Sequence, residues 1–173
     1  MAYLNADGLY KKIGTEKAVA SRAGEYKTYG NMRDLVVDIT FGNGTTNTLG
    51  TSSVIQSDVL FLPTSVRIEE VEVVTLVAEV GGTPTLDVGV INTDRSTVPS
   101  SPGAGATAIL AAYPNASLAA LGTKNVIRLG GTGAGTWVGL TTPTTNPNYI
   151  TAKMSTTAAT AGSVRVIIRY SKL

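Results

Sequence analysis

The side chains of this chain that could do chemistry are few, and the most compact group is acidic. Glu69, Glu70 and Glu72 fall within four positions of sequence. Neighbouring carboxylates can act as an acid and a base, or they can bind a cation. They can equally form a solvated strand face that discourages pairing with another chain. Because no second carboxylate cluster completes a site, we favour the solvated face.

Two other residue types that carry much of enzyme chemistry are missing. The chain has no cysteine and no histidine. This excludes disulfides, thiolate sites, zinc sites built from these ligands and any catalytic triad that needs a histidine. We therefore expect no catalytic, cofactor-binding or metal-binding residues, and we expect that the protein is not an enzyme.

A glycine-rich stretch, GGTGAGTWVG, resembles a phosphate-binding loop. The dinucleotide pattern needs a third glycine where Thr136 stands, and the NTPase pattern needs a Gly-Lys-Ser/Thr run that is absent. Both patterns also need a following helix, whereas TWVGL has the character of a strand. We interpret the stretch as a turn before a strand.

The segments that must position these residues show apolar and polar side chains in alternation. In DLVVDITF, Leu35, Val37, Ile39 and Phe41 share one face, which is typical of a half-buried strand. Similar runs give about eight strands separated by turns rich in Gly, Pro and Thr: DLVVDITF, SVIQSDVLFLP, SVRIEEVEVVTLVAEV, TLDVGVI, NVIRL, TWVGL, NYITAKM and GSVRVIIRY. We predict an all-β protein, an antiparallel β-sandwich that is jelly-roll-like.

The longest run, SVRIEEVEVVTLVAEV, changes phase at Glu69-Glu70, which predicts a β-bulge there. Val71, Val73 and Val77 then share one phase. From Val73 to Val77 both faces are apolar, which suits a central strand that is covered on both sides.

Composition divides the chain into an arm and a body. We predict an extended N-terminal arm at 1–33 and a sandwich body at 34–173, with an irregular Gly/Ala/Pro insert at 96–122. The first 33 residues hold six Lys or Arg against three Asp or Glu, and the first 30 hold four of the seven tyrosines. Only 15% of the whole chain is charged. Such a surface is poorly protected against association, so we expect a partner to cover part of it.

The arm has three interpretations: a nucleic-acid arm, a flexible tail, or an ordered arm that binds a neighbouring protein. The basic excess is weak and interrupted by acidic residues, and disordered tails are usually poor in aromatics. Tyr and Arg are enriched at protein interfaces, so we favour the third. The residues that we expect at a capsid or subunit interface are Tyr3, Leu4, Tyr10, Lys11, Lys12, Arg22, Tyr26, Tyr29 and Arg33.

The stretches AYLNADGLYKKIGTEKA, EYKTYGNMRDLVVDI, and VRIEEVEV followed by LDVGVINTDR resemble small head proteins of tailed bacteriophages, of the capsid decoration or cement type. The resemblance implies a structural virion protein on the outer capsid surface, with a homotrimer and the major capsid protein as partners. Such a protein bridges major capsid subunits and stabilises the head. It implies no enzymatic activity and no cofactor, and we expect no direct contact with nucleic acid or a membrane.

An alternative from another class is a carbohydrate- or host-binding accessory module of a phage tail or fibre. Trp137 and Tyr149 would then be exposed stacking platforms. A lone Trp in a small β domain is more often part of the core, and we favour that placement.

Overall fold

The structure is a computed structural model, and it describes residues 32–43, 49–52, 54–55, 61–80, 82–96, 105–142 and 147–172. Within these ranges it is nearly all β. The strands are β1 (Met32–Asn43), β2 (Val54–Ile55), β3 (Phe61–Leu62), β4 (Val66–Val80), β5 (Leu86–Asn92), β6 (Leu110–Tyr113), β7 (Lys124–Ile127), β8 (Asn148–Met154) and β9 (Ala161–Lys172). A 3₁₀ turn, Gly105–Thr107, precedes β6, and a single helical turn, α1 (Asn115–Leu118), follows it.

The strands form two antiparallel sheets, in the orders β1-β9-β4-β7 and β2-β8-β5-β6, with β3 also paired to β8. The pairs β1:β9, β2/β3:β8, β4:β7 and β5:β6 are nested like the two arms of one long hairpin. The pairs β9:β4 and β8:β5 roll this hairpin into two layers. That is the double Greek key of a jelly roll. The predicted all-β jelly-roll sandwich is confirmed.

Alternating side chains on β1 and β9 build one side of the core. Leu35, Val37, Ile39 and Phe41 of β1 are all buried, while the residues between them are exposed. On β9, the buried residues are Val164, Val166, Ile168 and Tyr170, and the residues between them are half-buried. A sheet with one covered face produces this period of two, so the sequence predicted the buried residues of both strands correctly.

The predicted bulge in β4 is confirmed, and a second irregularity follows it. The register against β9 shifts between Ile68 and Glu70, which places Val66 and Val71 on the same buried face. A further shift between Thr75 and Val77 turns Val77 outward, where it is exposed. The prediction that Val77 shares a face with Val71 was therefore wrong. Val74 is half-buried, and Leu76 and Val77 are 38% and 54% exposed, so the described residues do not cover both faces of β4 as we predicted.

The insert at 96–122 is not irregular throughout, because its second half contains the 3₁₀ turn, β6 and α1. The 3₁₀ turn lies against β5, and Ile109 N donates a hydrogen bond to Val88 O at 2.9 Å. Gly89 allows this approach. A Cβ at that position would lie 1.9 Å from Gly105 O.

Two predicted strands differ from the structure. SVIQSDVLFLP contains two short strands, β2 and β3, instead of one. TWVGL is not a strand: it forms turns, with an isolated bridge from Val138 to Ile68. Gly133 and Gly139 have φ of 81° and 82°, which prevents a regular ladder. Gly139 N instead donates to Ile68 O at 2.7 Å.

Candidate interface surfaces

The acidic cluster lies on the outer face of the four-stranded sheet, where it is paired with cations. We name this surface the charged face. Eight of its ionic residues pair between strands: Asp34 and Asp38 on β1, Arg165 and Arg169 on β9, Glu70 and Glu72 on β4, Lys124 on β7, and Arg128 just beyond β7. They face outward because they alternate with the buried residues of the same strands. Glu69 pairs instead with Arg67 of its own strand and accepts a hydrogen bond from Ser171 Oγ at 2.6 Å.

Arg169 joins two carboxylates on neighbouring strands. Its Nε lies 3.0 Å from Asp34 Oδ1, and its Nη1 lies 2.5 Å from Glu70 Oε1. Glu70 also accepts a hydrogen bond from Arg128 Nε at 3.0 Å. These contacts form a row of alternating charge across all four strands of the sheet.

A second set of ion pairs lies beside this row. Arg165 donates two hydrogen bonds to Asp38, at 2.7 and 2.8 Å, in the bidentate geometry that suits a carboxylate. These hydrogen bonds lower the pKa of Asp38. Lys124 Nζ lies 2.8 Å from Glu72 Oε1. The structure therefore favours a strand face over a cation or acid/base site. The face is less solvated than we expected, because the Glu70 and Glu72 side chains are only 14% exposed, and β4 is a central strand and not an edge. The carboxylates of the cluster are bound by Arg and Lys, and no group of acidic residues in the described ranges is arranged to hold a metal ion.

The glycine-rich stretch is a packing element. No helix follows it within the described chain, as a phosphate loop would require. A Cβ at Gly135 would lie 2.3 Å from Ala108 O, so the stretch packs closely on the backbone before β6. The interpretation as a turn is confirmed, although the strand expected after it is absent.

The two aromatic residues of the alternative function are not exposed platforms. Trp137 has 0% relative exposure and belongs to the core, as we favoured from the sequence. Tyr149 is half-buried on β8, and Arg95 lies over its ring with Cζ 5.3 Å from the centroid. A stacking surface for a sugar needs open ring faces, which this arrangement does not provide.

Three exposed leucines lie along the β7 edge of the body, and we name them the leucine strip. Leu121 is 71% exposed, Leu129 is 68% exposed and Leu140 is 43% exposed. Leu121 stands in the turn before β7, where Gly122 N donates to Thr75 O. Leu129 follows β7 and packs beside Gly139, next to Leu140. This strip was not predicted from the sequence, because nothing in the pattern distinguishes an exposed leucine from a buried one.

A cavity of about 290 Å³ opens next to β7. It is lined by Tyr113, Pro114, Ser117, Asn125, Val126, Ile127 and Thr132. Asn125 Nδ2 donates to Tyr113 Oη at 2.6 Å and to Ser117 Oγ at 3.0 Å. These bonds join the end of the insert to β7, the strand that lies between Leu121 and Leu129 in the sequence.

Of the nine interface residues predicted in the arm, only Arg33 lies within the described part of the chain. It is exposed on β1, opposite Tyr170 of β9, so it belongs to the first strand and not to an arm. Tyr3, Leu4, Tyr10, Lys11, Lys12, Arg22, Tyr26 and Tyr29 lie outside the described residues. Among the helices of the described chain, none has the length and apolar character needed to span a membrane.

Comparison with known proteins shows similarity at the level of fold. No protein-family model matches the chain, and no curated protein matches it. Solved structures do. A chain of "Capsid of Ralstonia phage GP4" aligns with a TM-score of 0.56 and 16% identity, covering 83% of this chain and 86% of that one. A chain of "Cyanophage Pam1 capsid asymmetric unit" aligns with a TM-score of 0.52 and 20% identity, over the same shares of both chains. The jelly-roll body of this protein is therefore a fold that also occurs in chains of two phage capsid structures.

Proposed function

We propose that the protein is a structural virion protein that binds the outer surface of a phage capsid. There it bridges neighbouring major capsid subunits as a homotrimer and stabilises the head. The observation that carries the proposal is the fold match to chains of two phage capsid structures, each covering 83% of this chain. The resemblance of the arm and sheet sequences to decoration proteins points in the same direction.

Exposed apolar surface supports a role in assembly. Leu121 is 71% exposed and Leu129 is 68% exposed, and each stands in a turn that flanks β7. Large apolar side chains grouped on a surface mark interaction sites. We assign the leucine strip, together with the insert that ends beside it, to the contact around the trimer axis.

In this proposal, the arm makes the main contact with the capsid. Tyr3, Tyr10, Tyr26 and Tyr29 offer contact area at a small cost in side-chain entropy, together with a hydroxyl for hydrogen bonding. A few such anchors dominate the binding energy of an interface, while Lys and Arg adjust the association rate and the register. Because many copies bind one lattice, each contact can be individually modest.

The experiment compares the full-length chain with a variant that lacks residues 1–30, using capsids assembled without this protein. Co-sedimentation gives the occupancy of the capsid by each variant. We expect the full-length chain to saturate the capsid and the deletion variant to stay in the supernatant, while its thermal melting shows a folded body.

Two outcomes are informative in different ways. If the deletion variant decorates capsids at the occupancy of the full-length chain, the arm does not make the contact. If the full-length chain fails to sediment with capsids at all, the proposed function itself is wrong.

A further inference from the structure

The charges of the charged face are sorted by strand. Among the eight charges that pair between strands, both on β1 are acidic, both on β9 are basic, both on β4 are acidic, and both at β7 are basic. Arg67, which pairs with Glu69 at the start of β4, lies outside this set. Across the sheet, in the order β1-β9-β4-β7, the face therefore carries four stripes with signs minus, plus, minus and plus. The eight charges cancel.

Apolar side chains lie between the ionic rows. Val36 of β1 pairs with Ile167 of β9, and Val126 of β7 stands opposite Glu72 at the same level. Val36 is 42% exposed and Val126 is 47% exposed, while Ile167 is half-buried. Val74 continues this apolar surface on β4. Val74 is half-buried between Arg165 and Lys124, so its outer side is only partly covered by described residues.

We propose that the charged face binds the same face of a second copy of this chain, about a two-fold axis that runs parallel to the strands. Such an axis reverses the order of the strands. Each β1 then faces the β7 side of its partner, and each β9 faces the partner's β4. The register places Asp34 on the partner's Arg128, Asp38 on the partner's Lys124 and Arg169 on the partner's Glu70. Val36 meets the partner subunit's Val126. Arg165 and Glu72 face the partner's Val74 and the partner's Ile167, and they keep the ion pairs that they make within their own chain. The proposal does not depend on the capsid role.

The charge pattern excludes the other way of stacking two copies. A two-fold axis across the strands would place β1 on β1 and β9 on β9, so each stripe would face its own sign. Like charges directly opposed in a contact cost several kcal/mol. Either axis aligns the strands of the two sheets, which is one of the two common modes of sheet packing, so the charge pattern is what distinguishes the two axes.

One further feature favours the contact. The bidentate pair of Arg165 with Asp38 and the bridging Arg169 hold long side chains in place before association, so less side-chain freedom is lost on binding. Because β1 faces the short β7, the overlapping strands give a footprint on the order of 500 Å² per copy, from about 4.8 Å between strands and 3.3 Å per residue. The proposed interface is therefore smaller than the roughly 600 to 1,000 Å² per partner of standard interfaces.

The first test is the mass of the full chain in solution, measured by light scattering. Val36→Lys places a cation between Asp34 and Asp38 of its own strand, where the fold tolerates it, but against the basic β7 stripe of the partner. Ala158→Lys makes the same charge change at an exposed position in the loop after β8. We expect an even number of copies for the wild type and for A158K, and half that mass for V36K. Equal masses for all three variants would overturn the proposal.

The second test fixes the geometry, and it is clean because the chain has no cysteine. Positions 36 and 126 are three strand spacings apart in one molecule, about 14 Å, whereas facing sheets lie about 10 Å apart. A thiol crosslinker that spans the shorter distance but not the longer should convert the double variant Val36→Cys, Val126→Cys into a covalent dimer. It should leave Val36→Cys alone monomeric on a denaturing gel. Efficient crosslinking of the single variant, or none of the double variant, contradicts the proposed axis.

Discussion

The contact between the insert and β5 predicts that a side chain at Gly89 destabilises the protein. Gly89 is buried in β5, and a Cβ at this position would lie 1.9 Å from Gly105 O, 2.4 Å from Ala106 C and 2.6 Å from Ala106 Cα. All three are backbone atoms, so no side chain can rotate away. Gly89→Ala must push the 3₁₀ turn off the sheet.

The expected cost follows from the kind of atom that is displaced. Overpacking a core costs about 1 to 3 kcal/mol, and occasionally more when the backbone must move. We expect Gly89→Ala to reach the upper end, about 3 kcal/mol. For a chain of this size, 1 kcal/mol shifts the melting temperature by about 2 to 4 °C, so the variant should melt roughly 6 to 12 °C below the wild type.

The matched control is Gly50→Ala. Nothing lies within 4 Å of a Cβ at Gly50, and its φ is not in the left-handed region. We expect this variant to melt at or slightly above the wild-type temperature, because alanine lowers the conformational entropy of the unfolded chain. A Gly89→Ala variant that melts within about 2 °C of the wild type would refute the reasoning that the insert lies against β5.

Three further predictions concern single side chains. Burial raises the pKa of Glu79, so the folded state holds its proton more tightly, and stability falls as the pH rises above the ordinary value of 4.5. Glu79→Gln should therefore stabilise the protein by about 1 kcal/mol at pH 7. In pH-resolved thermal melts that gain should vanish below pH 4.5, and no gain at pH 7 would contradict the prediction. The pKa of Asp38 is lowered, so its effect on stability runs the other way. The pair with Arg165 stabilises the folded state above pH 3.8, and this stabilisation is lost as the pH falls further. Asp38→Asn should cost less than about 1 kcal/mol at pH 7, because the pair is exposed, and a cost that persisted at low pH would argue against this origin. Trp137 should emit at short wavelength and resist an added quencher, whereas red-shifted, quenchable emission would place it at the surface.

The alternation of apolar and polar residues predicted much of the four-stranded sheet. Leu35 and Val166 were assignable to the core because one covered face imposes a period of two over long strands. The bulge at Glu69-Glu70 was predictable for the same reason, since the alternation visibly changes phase there. The second shift, near Val77, left no such signal, because Thr, Leu and Val are all compatible with either face of a strand.

The elements that were missed are short or rich in glycine. β6 reads LAAY, too short and too poor in alternation to be seen within the insert. TWVGL has the composition of a strand, but the positive φ of Gly139 and its hydrogen bond to Ile68 convert it to a turn. In both cases tertiary contacts decide the local structure, and sequence pattern carries no record of them.

The charged face also depends on tertiary contacts that the sequence pattern does not record. The sequence placed Asp34 and Asp38 on one face of β1, and Arg165 and Arg169 on one face of β9. That they meet depends on the register of two strands far apart in sequence, with a separation of 127 residues from Asp38 to Arg165. The leucine strip depends on which turns lie at the sheet edge, which only the folded chain shows.

A cryo-electron microscopy reconstruction of phage capsids with and without this protein would show directly whether it decorates the head. We expect additional density on the outer surface of the shell, at positions of three-fold symmetry, into which the jelly-roll body fits. Identical reconstructions, or additional density confined to the tail or to the interior of the shell, would contradict the proposed function.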